Sequence, residues 1–305
     1  MTTAAGTLVR TRPGIGSLGG IGLVLAGTVS GQFGSAVAAL LFPSAGALGV
    51  VSLRVTLAAL LLLAVCRPRL RGHSRTDWAV ACAFGVALGG MNVLFYQAID
   101  RMPLGPAAAL EVLGPLLLSV VAARRALSLL WAGLALAGVF LLGRGGFDGL
   151  DPVGACCALG AGALWAAYIL LGARAGARFP RLDGLALAMG VAALVTLPPG
   201  IGSAGGVLLR PDVLGLGAAV AVLSSGLPYA LELLALRRLP AATFAVLTSL
   251  APAIAALAGF LVLGQTLSAP ECAAIALVVA AEPAELGEQG VDQVRPGYEE
   301  LGAAR

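Results

Sequence analysis

Apolar residues run along this chain in long blocks rather than in the alternating pattern of a half-buried strand or the one-sided stripe of a soluble helix. Ten blocks fall at roughly 15–41, 47–66, 78–99, 104–122, 127–143, 152–172, 184–201, 213–236, 241–263 and 270–281. A membrane core ~30 Å thick needs about 20 apolar residues in helical form. Pro, Gly and Arg punctuate the blocks, as at Phe42-Pro43-Ser44, Arg67-Pro68-Arg69 and Arg237-Arg238-Leu239-Pro240, where a helix is expected to stop or turn. The pattern predicts an all-α polytopic membrane protein with ten transmembrane helices.

The first block follows Arg10 and Arg12 and resembles a secretory signal in position. It is longer than the apolar core of such signals, about 7–15 residues, and reads as an uncleaved first helix. The last block is the weak one. Pro270 to Ala281 spans 12 residues, about 18 Å of helix, so it either thins the membrane locally or stops as a half-span. Residues 282–305, beginning with Glu282, Glu285 and Glu288, read as a disordered polar tail.

Charge gives the direction. All 19 basic residues are arginine. With residues 1–14 placed in the cytoplasm and the side alternating at each span, fifteen arginines fall inside. Only Arg101, Arg144 and Arg210 fall outside, and Arg54 lies within a span. Positively charged loops stay cytoplasmic, so the bias supports both the span count and a cytoplasmic N-terminus in the cell inner membrane.

Composition agrees and removes other classes. Of the 305 residues, 59% are hydrophobic and 11% charged, against about 25% charged in soluble domains; mean hydropathy is +0.97. A soluble enzyme, a disordered chain and a nucleic-acid binder are excluded. The five cysteines (Cys66, Cys82, Cys156, Cys157, Cys272) lie in or at the ends of apolar blocks without metal-site spacing, and read as small packing or lipid-facing residues. His73 sits in an arginine-rich loop and is expected to be solvated. No HExxH, GxSxG or Walker lysine is present. The chain reads as neither an enzyme nor an ATP-driven pump, with no cofactor or metal expected.

The chain also matches itself at one offset. Phe42-Pro43 aligns with Phe179-Pro180, and Ala98, Arg101 and Pro103 with Ala235, Arg238 and Pro240. Gly89 aligns with Gly226 and Pro115 with Pro252, always 137 residues apart. The unit is five spans, residues 15–143 and 152–281. An odd number makes the copies enter the membrane in opposite directions, the inverted repeat of secondary transporters with a site between the halves.

Several strings resemble one family. Leu88–Tyr96 (LGGMNVLFY) and Pro103–Glu111 (PLGPAAALE) in the first half, with Gly160–Leu170 (GAGALWAAYIL), Leu227–Glu232 (LPYALE), Arg238–Pro240 (RLP) and Leu263–Leu267 (LGQTL) in the second, resemble EamA-type carriers of the drug/metabolite transporter superfamily. Within it the likeness is nearest to the threonine/homoserine exporter group and covers about residues 15–270. The resemblance implies export of an amino acid such as threonine or homoserine, by proton antiport. Two features depart from the family: Gln265 stands where an acid is usual, and the tenth helix is short.

Ionisable residues in a span are costly and suggest function. Arg54, Asn92 and Glu111 each lie about seven residues from the outer end of their spans, ~10 Å deep. One reading is a buried Arg54–Glu111 ion pair that fixes helix packing. The other is a zwitterion site, with Arg54 toward a carboxylate and Glu111 toward an ammonium or a coupling proton. The repeat mates of Asn92 and Glu111 are Tyr229 and Thr248, so the second half is expected to lack an acid. Gln32, with Ser30, and Trp165, with Tyr168, reach similar depth in spans one and six, where they either line the pathway or bond helix to helix. Tyr96 and Gln97 are expected near the outer interface, and Glu232 either to pair with Arg237 or Arg238 or to act as an inner-gate charge. The expected site is thus Gln32, Arg54, Asn92, Glu111, Trp165, Tyr168 and Tyr229, with Glu111 coupling the proton. The expected partners are a small-molecule substrate, protons and the lipid bilayer, with a homodimer left open. The alternatives are a carrier of another metabolite or drug, or a membrane protein that does not transport.

Overall fold

The computed structural model describes residues 15–123, 151–236 and 250–269, with short stretches at 239, 247–248, 272–273 and 275–277. Among these residues every regular element is helical. Helices α1 (Ile15–Ala39), α2 (Phe42–Cys66), α3 (Arg75–Ile99), α4 (Leu104–Glu111) and α5 (Leu113–Ala123) form the first half. The second contains α6 (Pro152–Arg178), α7 (Asp183–Ala204), α8 (Pro211–Ala221), α9 (Leu227–Leu236) and α10 (Ala251–Leu263). One π-helical turn, Val222–Gly226, joins α8 to α9.

Six helical segments are long and apolar enough to cross a membrane: Gly19–Ala39, Phe42–Cys66, Arg75–Ile99, Pro152–Arg178, Asp183–Leu209 and Pro211–Ala235. Leu104–Leu118 and Ala251–Leu263 are shorter apolar segments. The expected span at 104–122 is broken at Val112 into α4 and α5. Pro115 accounts for the break, because a proline lacks an N–H and its ring crowds the carbonyl four residues back, which here belongs to Glu111. The expected span at 127–143 and the tail at 282–305 lie outside the described residues. So does most of 270–281, although Ile275 is buried against Ala109 and Val112 of the α4–α5 region.

Span two begins as the sequence predicts. Gly46 has φ 66° and ψ 162°, a region open essentially to glycine, and it interrupts the helix between the Phe42 turn and the continuous run from Ala47. Burial is inverted relative to a soluble protein. Leu60, Val65, Leu194, Leu209, Phe260 and Leu261 are exposed, while alanines dominate the buried set. An exterior in lipid needs bulk apolar groups, and small residues inside let helices approach closely. Cys82, Cys156 and Cys272 are exposed and Cys66 and Cys157 half-buried, all as free thiols.

α2 packs along α7, and α3 along both α6 and α7; α1 packs on α9, the π turn and α10, and α4 on α10 and α6. The α3–α6 pair is held at both ends by ion pairs, Arg178–Asp77 at 2.8 Å and Arg101–Asp151 at 3.5 Å. Asp77 also completes a capping box with Ser74 at the start of α3. The loop before it corrects one expectation. His73 is half-buried rather than solvated, its ring 4.8 Å from Phe179 and 6.3 Å edge-on from Trp78, because the ion pair draws the end of α6 over it. Gln265, where the family usually has an acid, accepts from the Leu104 backbone N–H at 3.1 Å. That cap needs only an acceptor, so a neutral amide suffices.

α1 approaches the π turn closely near the centre. A Cβ on Gly34 would lie 2.6 Å from the Ser224 Cβ and 2.7 Å from its backbone nitrogen. Backbone cannot swing aside as a side chain does, so Gly34→Ala should cost about 1–3 kcal/mol. The check is the melting temperature of the purified protein in detergent; an unchanged value would mean that α1 can withdraw from the turn freely.

Candidate functional site

Where the two halves meet, a cavity of about 90 Å³ is lined by residues that include Gln32, Arg54, Asn92, Glu111, Trp165 and Tyr229. Six of the seven expected site residues therefore share one space. The seventh, Tyr168, stands behind it, with its buried ring 5.9 Å from that of Tyr229 and 5.2 Å from Phe84. A water molecule claims ~30 Å³ in the liquid, so the space suits a few waters or a small polar solute. Pockets for drug-sized ligands run to about 300–1,000 Å³.

Arg54 organises the centre. It is 2% exposed. Its Nη1 donates to the Ser224 carbonyl at 2.9 Å, the Ser224 Oγ at 2.5 Å and the Ser225 Oγ at 2.9 Å. Its Nη2 donates to the Asn92 Oδ1. The guanidinium carbon lies 4.3 Å from the centre of the Tyr96 ring, a cation–π contact. Only Nε lacks a partner. The amide of Asn92 is oriented by these contacts, since Arg54 can only donate. Its Nδ2 then donates to the Leu88 carbonyl at 2.8 Å and to the Tyr229 hydroxyl at 3.0 Å.

The local sequence explains why a backbone carbonyl is available to Arg54. Ser224 would normally receive the N–H of residue 228, but that residue is proline and has none. The π turn frees a second carbonyl. The Leu227 N–H bonds back to Val222, leaving the Leu223 carbonyl to the Ser30 hydroxyl of α1 at 2.6 Å. Both orphaned acceptors are thus taken up by the first half. π turns recur at functional sites for this reason: they expose backbone groups inside a helix.

Glu111 is 7% exposed, lines the same cavity and makes no hydrogen bond or ion pair among the described residues. Of the two readings, the geometry among the described residues does not contain the Arg54–Glu111 ion pair. The guanidinium is satisfied by neutral oxygens of α3 and the π turn, which compete successfully because they surround it. Tyr96 is corrected as well: it is fully buried beneath Arg54 rather than anchored at the interface, and its hydroxyl has no partner. Ser30 bonds helix to helix, while Gln32 lines the cavity with its Oε1 unpartnered.

Ser224 and Ser225 were not anticipated, and Thr248 and Glu232 were not among the expected site residues. Glu232 also lines the cavity, so the second half does contribute an acid, from a position whose repeat mate is Phe95. Its expected partners, Arg237 and Arg238, lie outside the described residues. The helical spacing of Pro228 and Glu232, four apart, was the available signal, because it puts both on one face. Among the described residues no group of His, Cys, Asp and Glu could hold a metal ion.

Comparison with known proteins agrees with this architecture. The pattern of the EamA-like transporter family matches residues 152–281. The threonine/homoserine exporter RhtA of Salmonella typhimurium (strain LT2) is 43% identical over 252 residues, 82% of this chain and 85% of that one. RhtA of Escherichia coli (strain K12) is 42% identical over 261 residues, 85% and 88% of the two chains. The chain belongs to the EamA-like transporter family. As a member it is a multi-pass membrane transporter and not an enzyme. A crystal structure of another protein, 21% identical, superposes with a TM-score of 0.58 over 90% of this chain and 99% of that one; the likeness is one of fold.

Proposed function

We propose that this transporter is an inner-membrane exporter of a small amino acid such as threonine or homoserine, exchanging it for protons. The observation that carries the reading is the cavity itself: one buried cation and an unpaired acid, Glu111, share a space too small for a drug-sized cargo. The curated relatives, named as threonine/homoserine exporters, point to the same substrate class. In this reading Arg54 directs positive charge toward the substrate carboxylate, and Asn92, Gln32 and Tyr229 offer hydrogen bonds. Trp165 packs on the substrate, Tyr168 supports Tyr229, and Glu111 takes either the ammonium or a proton. Counterflow of radiolabelled threonine or homoserine in proteoliposomes is the test. Exchange of other solutes only, or of none, would remove the proposal.

The architecture in this proposal is ten helices in two inverted five-helix repeats. Supporting it, residues 137 apart meet at the centre. Asn92 hydrogen-bonds its mate Tyr229. The pairs Glu111 and Thr248, Met91 and Pro228, Phe95 and Glu232, and Thr28 and Trp165 all line the one cavity. The packing is paired too: α3 lies on α6 as their mates α9 and α1 lie on each other, and α2 packs on its mate α7. A two-fold relation between halves brings equivalent residues together on its axis. The N-terminus is cytoplasmic in this arrangement. Reporter fusions after Leu70 and Arg125 are expected to read cytoplasm, and one after Asp148 the outer side. Cytoplasmic activity at Asp148 would remove the odd-numbered repeat.

A further inference from the structure

The charges of the cavity do not balance. Arg54 is the one cation among its described lining residues, and Glu111 and Glu232 are two acids. The other ionisable group on the lining is Tyr229, with Tyr168 behind it. α1 contributes Thr28, Gln32 and Ser35, α3 Asn92, and the α10 region Thr248 and Ala251, none of which ionises. Neither acid has a hydrogen bond or ion pair among the described residues, and Arg54 gives its bonds to neutral oxygens. With both acids ionised one carboxylate is left without a counter-charge, an expensive state within a span. Among the described residues no second cation supplies the missing charge, and a proton or the ammonium of a substrate can.

Placement makes Glu232 available to receive it. It stands one turn beyond Pro228 and three residues beyond Tyr229 on α9, facing α1. There Gly27 of α1 faces it: a Cβ on Gly27 would meet the Glu232 Cγ at 3.7 Å and the Pro228 carbonyl oxygen at 3.5 Å, ordinary contact distances.

We propose that Glu111 and Glu232 form an acid pair that holds one exchangeable proton, and that Glu232 is a second residue binding the substrate ammonium and coupling its export to protons. The proposal rests on the reading of the protein as an amino-acid exporter. In the empty carrier one acid is ionised, opposite the charge of Arg54, and the other is protonated. An entering zwitterion places its ammonium between the two carboxylates. The O–H bond of the protonated acid breaks, its electron pair stays on the carboxylate oxygen, and the proton leaves to water on the side where the substrate entered. Nothing is oxidised or reduced. Return of the empty carrier requires a proton from the other side, so one proton enters for each amino acid that leaves.

Two acids and one acid predict different behaviour for Glu232→Gln. With a pair, removing either acid leaves the other balanced by Arg54 and ionised. Glu232→Gln should then bind threonine more weakly and exchange it more slowly across proteoliposomes, release no proton for the threonine it does bind, and fail to export against a gradient when only a pH difference drives it. The wild type should release one proton for each threonine bound, measured with an indicator dye in weakly buffered detergent solution, and Glu232→Asp should restore that release. Wild-type proton release from Glu232→Gln would overturn the pair and leave Glu111 as the sole coupling acid. A wild type without threonine exchange would instead overturn the exporter reading. An independent check uses the unaltered protein. A hydrophobic carbodiimide, which attacks protonated buried carboxyls, should modify both Glu111 and Glu232, and threonine should protect both. A Glu232 that never reacts, with Glu111 modified, refutes the shared proton.

Discussion

Glu111→Gln should abolish export driven by a pH gradient while retaining a weaker amino-acid exchange. The substitution keeps the size and hydrogen-bonding reach of the side chain but cannot bind and release a proton. The site tolerates a neutral group well, because Glu111 makes no ion pair among the described residues that the change would break, and it lines the cavity. Removing one member of a buried ion pair typically costs about 3–5 kcal/mol, so the missing pair has a consequence. The variant should insert, purify and melt like the wild type, with the loss falling on coupling and, to a lesser degree, on substrate affinity. Two measurements on the same liposomes check this: threonine counterflow at equal pH on both sides, and uphill export after an acid jump outside. Export with wild-type pH dependence would return Glu111 to a packing role. A variant that melts much lower would show that the carboxylate has a structural partner.

How far the sequence could be read follows from what each feature depends on. Span positions depend on blocks of apolar residues, a signal local to each stretch, and six expected spans appear as long apolar helices. Even the start of α2 was legible, since Gly46 ends the preceding turn. Asn92, Arg54 and Glu111 were brought together by depth alone, because polar groups in lipid gather where they can satisfy one another. Partner choice was not legible. An arginine and a glutamate at one depth suggest an ion pair, but the guanidinium goes to Ser224 and Ser225, residues that look like ordinary small packing positions. They become acceptors through the π turn and Pro228, features of backbone geometry with no charge to advertise them. Glu232 was discounted on its nearness to Arg237 along the chain, whereas helical rotation turns it into the cavity. Tyr96 lies close to a helix end, as an interfacial tyrosine would. It is buried because Arg54 needs a surface beneath it.

Arg54→Lys is expected to damage stability and transport together. The sequence alone suggests a milder result, weaker substrate affinity from loss of the bidentate fork. The geometry asks more of this residue. One guanidinium nitrogen joins α2 to the Ser224–Ser225 turn and the other joins it to Asn92 on α3. An ammonium is a single point on its stem and cannot sit at both places. Lysine would keep one set of bonds and release the other. If it leaves the turn, the Ser224 carbonyl is stranded, since Pro228 offers it no N–H. A buried acceptor without a donor costs about 1–3 kcal/mol, and a lost bond to a charged group about 1.5–3. The sum, roughly 2.5–6 kcal/mol, should appear as a clear drop in melting temperature. Transport should fall with it, because the freed turn carries Tyr229 and Glu232 on the helix that follows. Ser224→Ala with Ser225→Ala separates the two acceptor types: both hydroxyls are gone, but the carbonyl still accepts, so this double variant should lose less stability than Arg54→Lys. A raised KM at an unchanged melting temperature would place Arg54 toward the substrate alone, and the bonds to the π turn would then be dispensable to the fold.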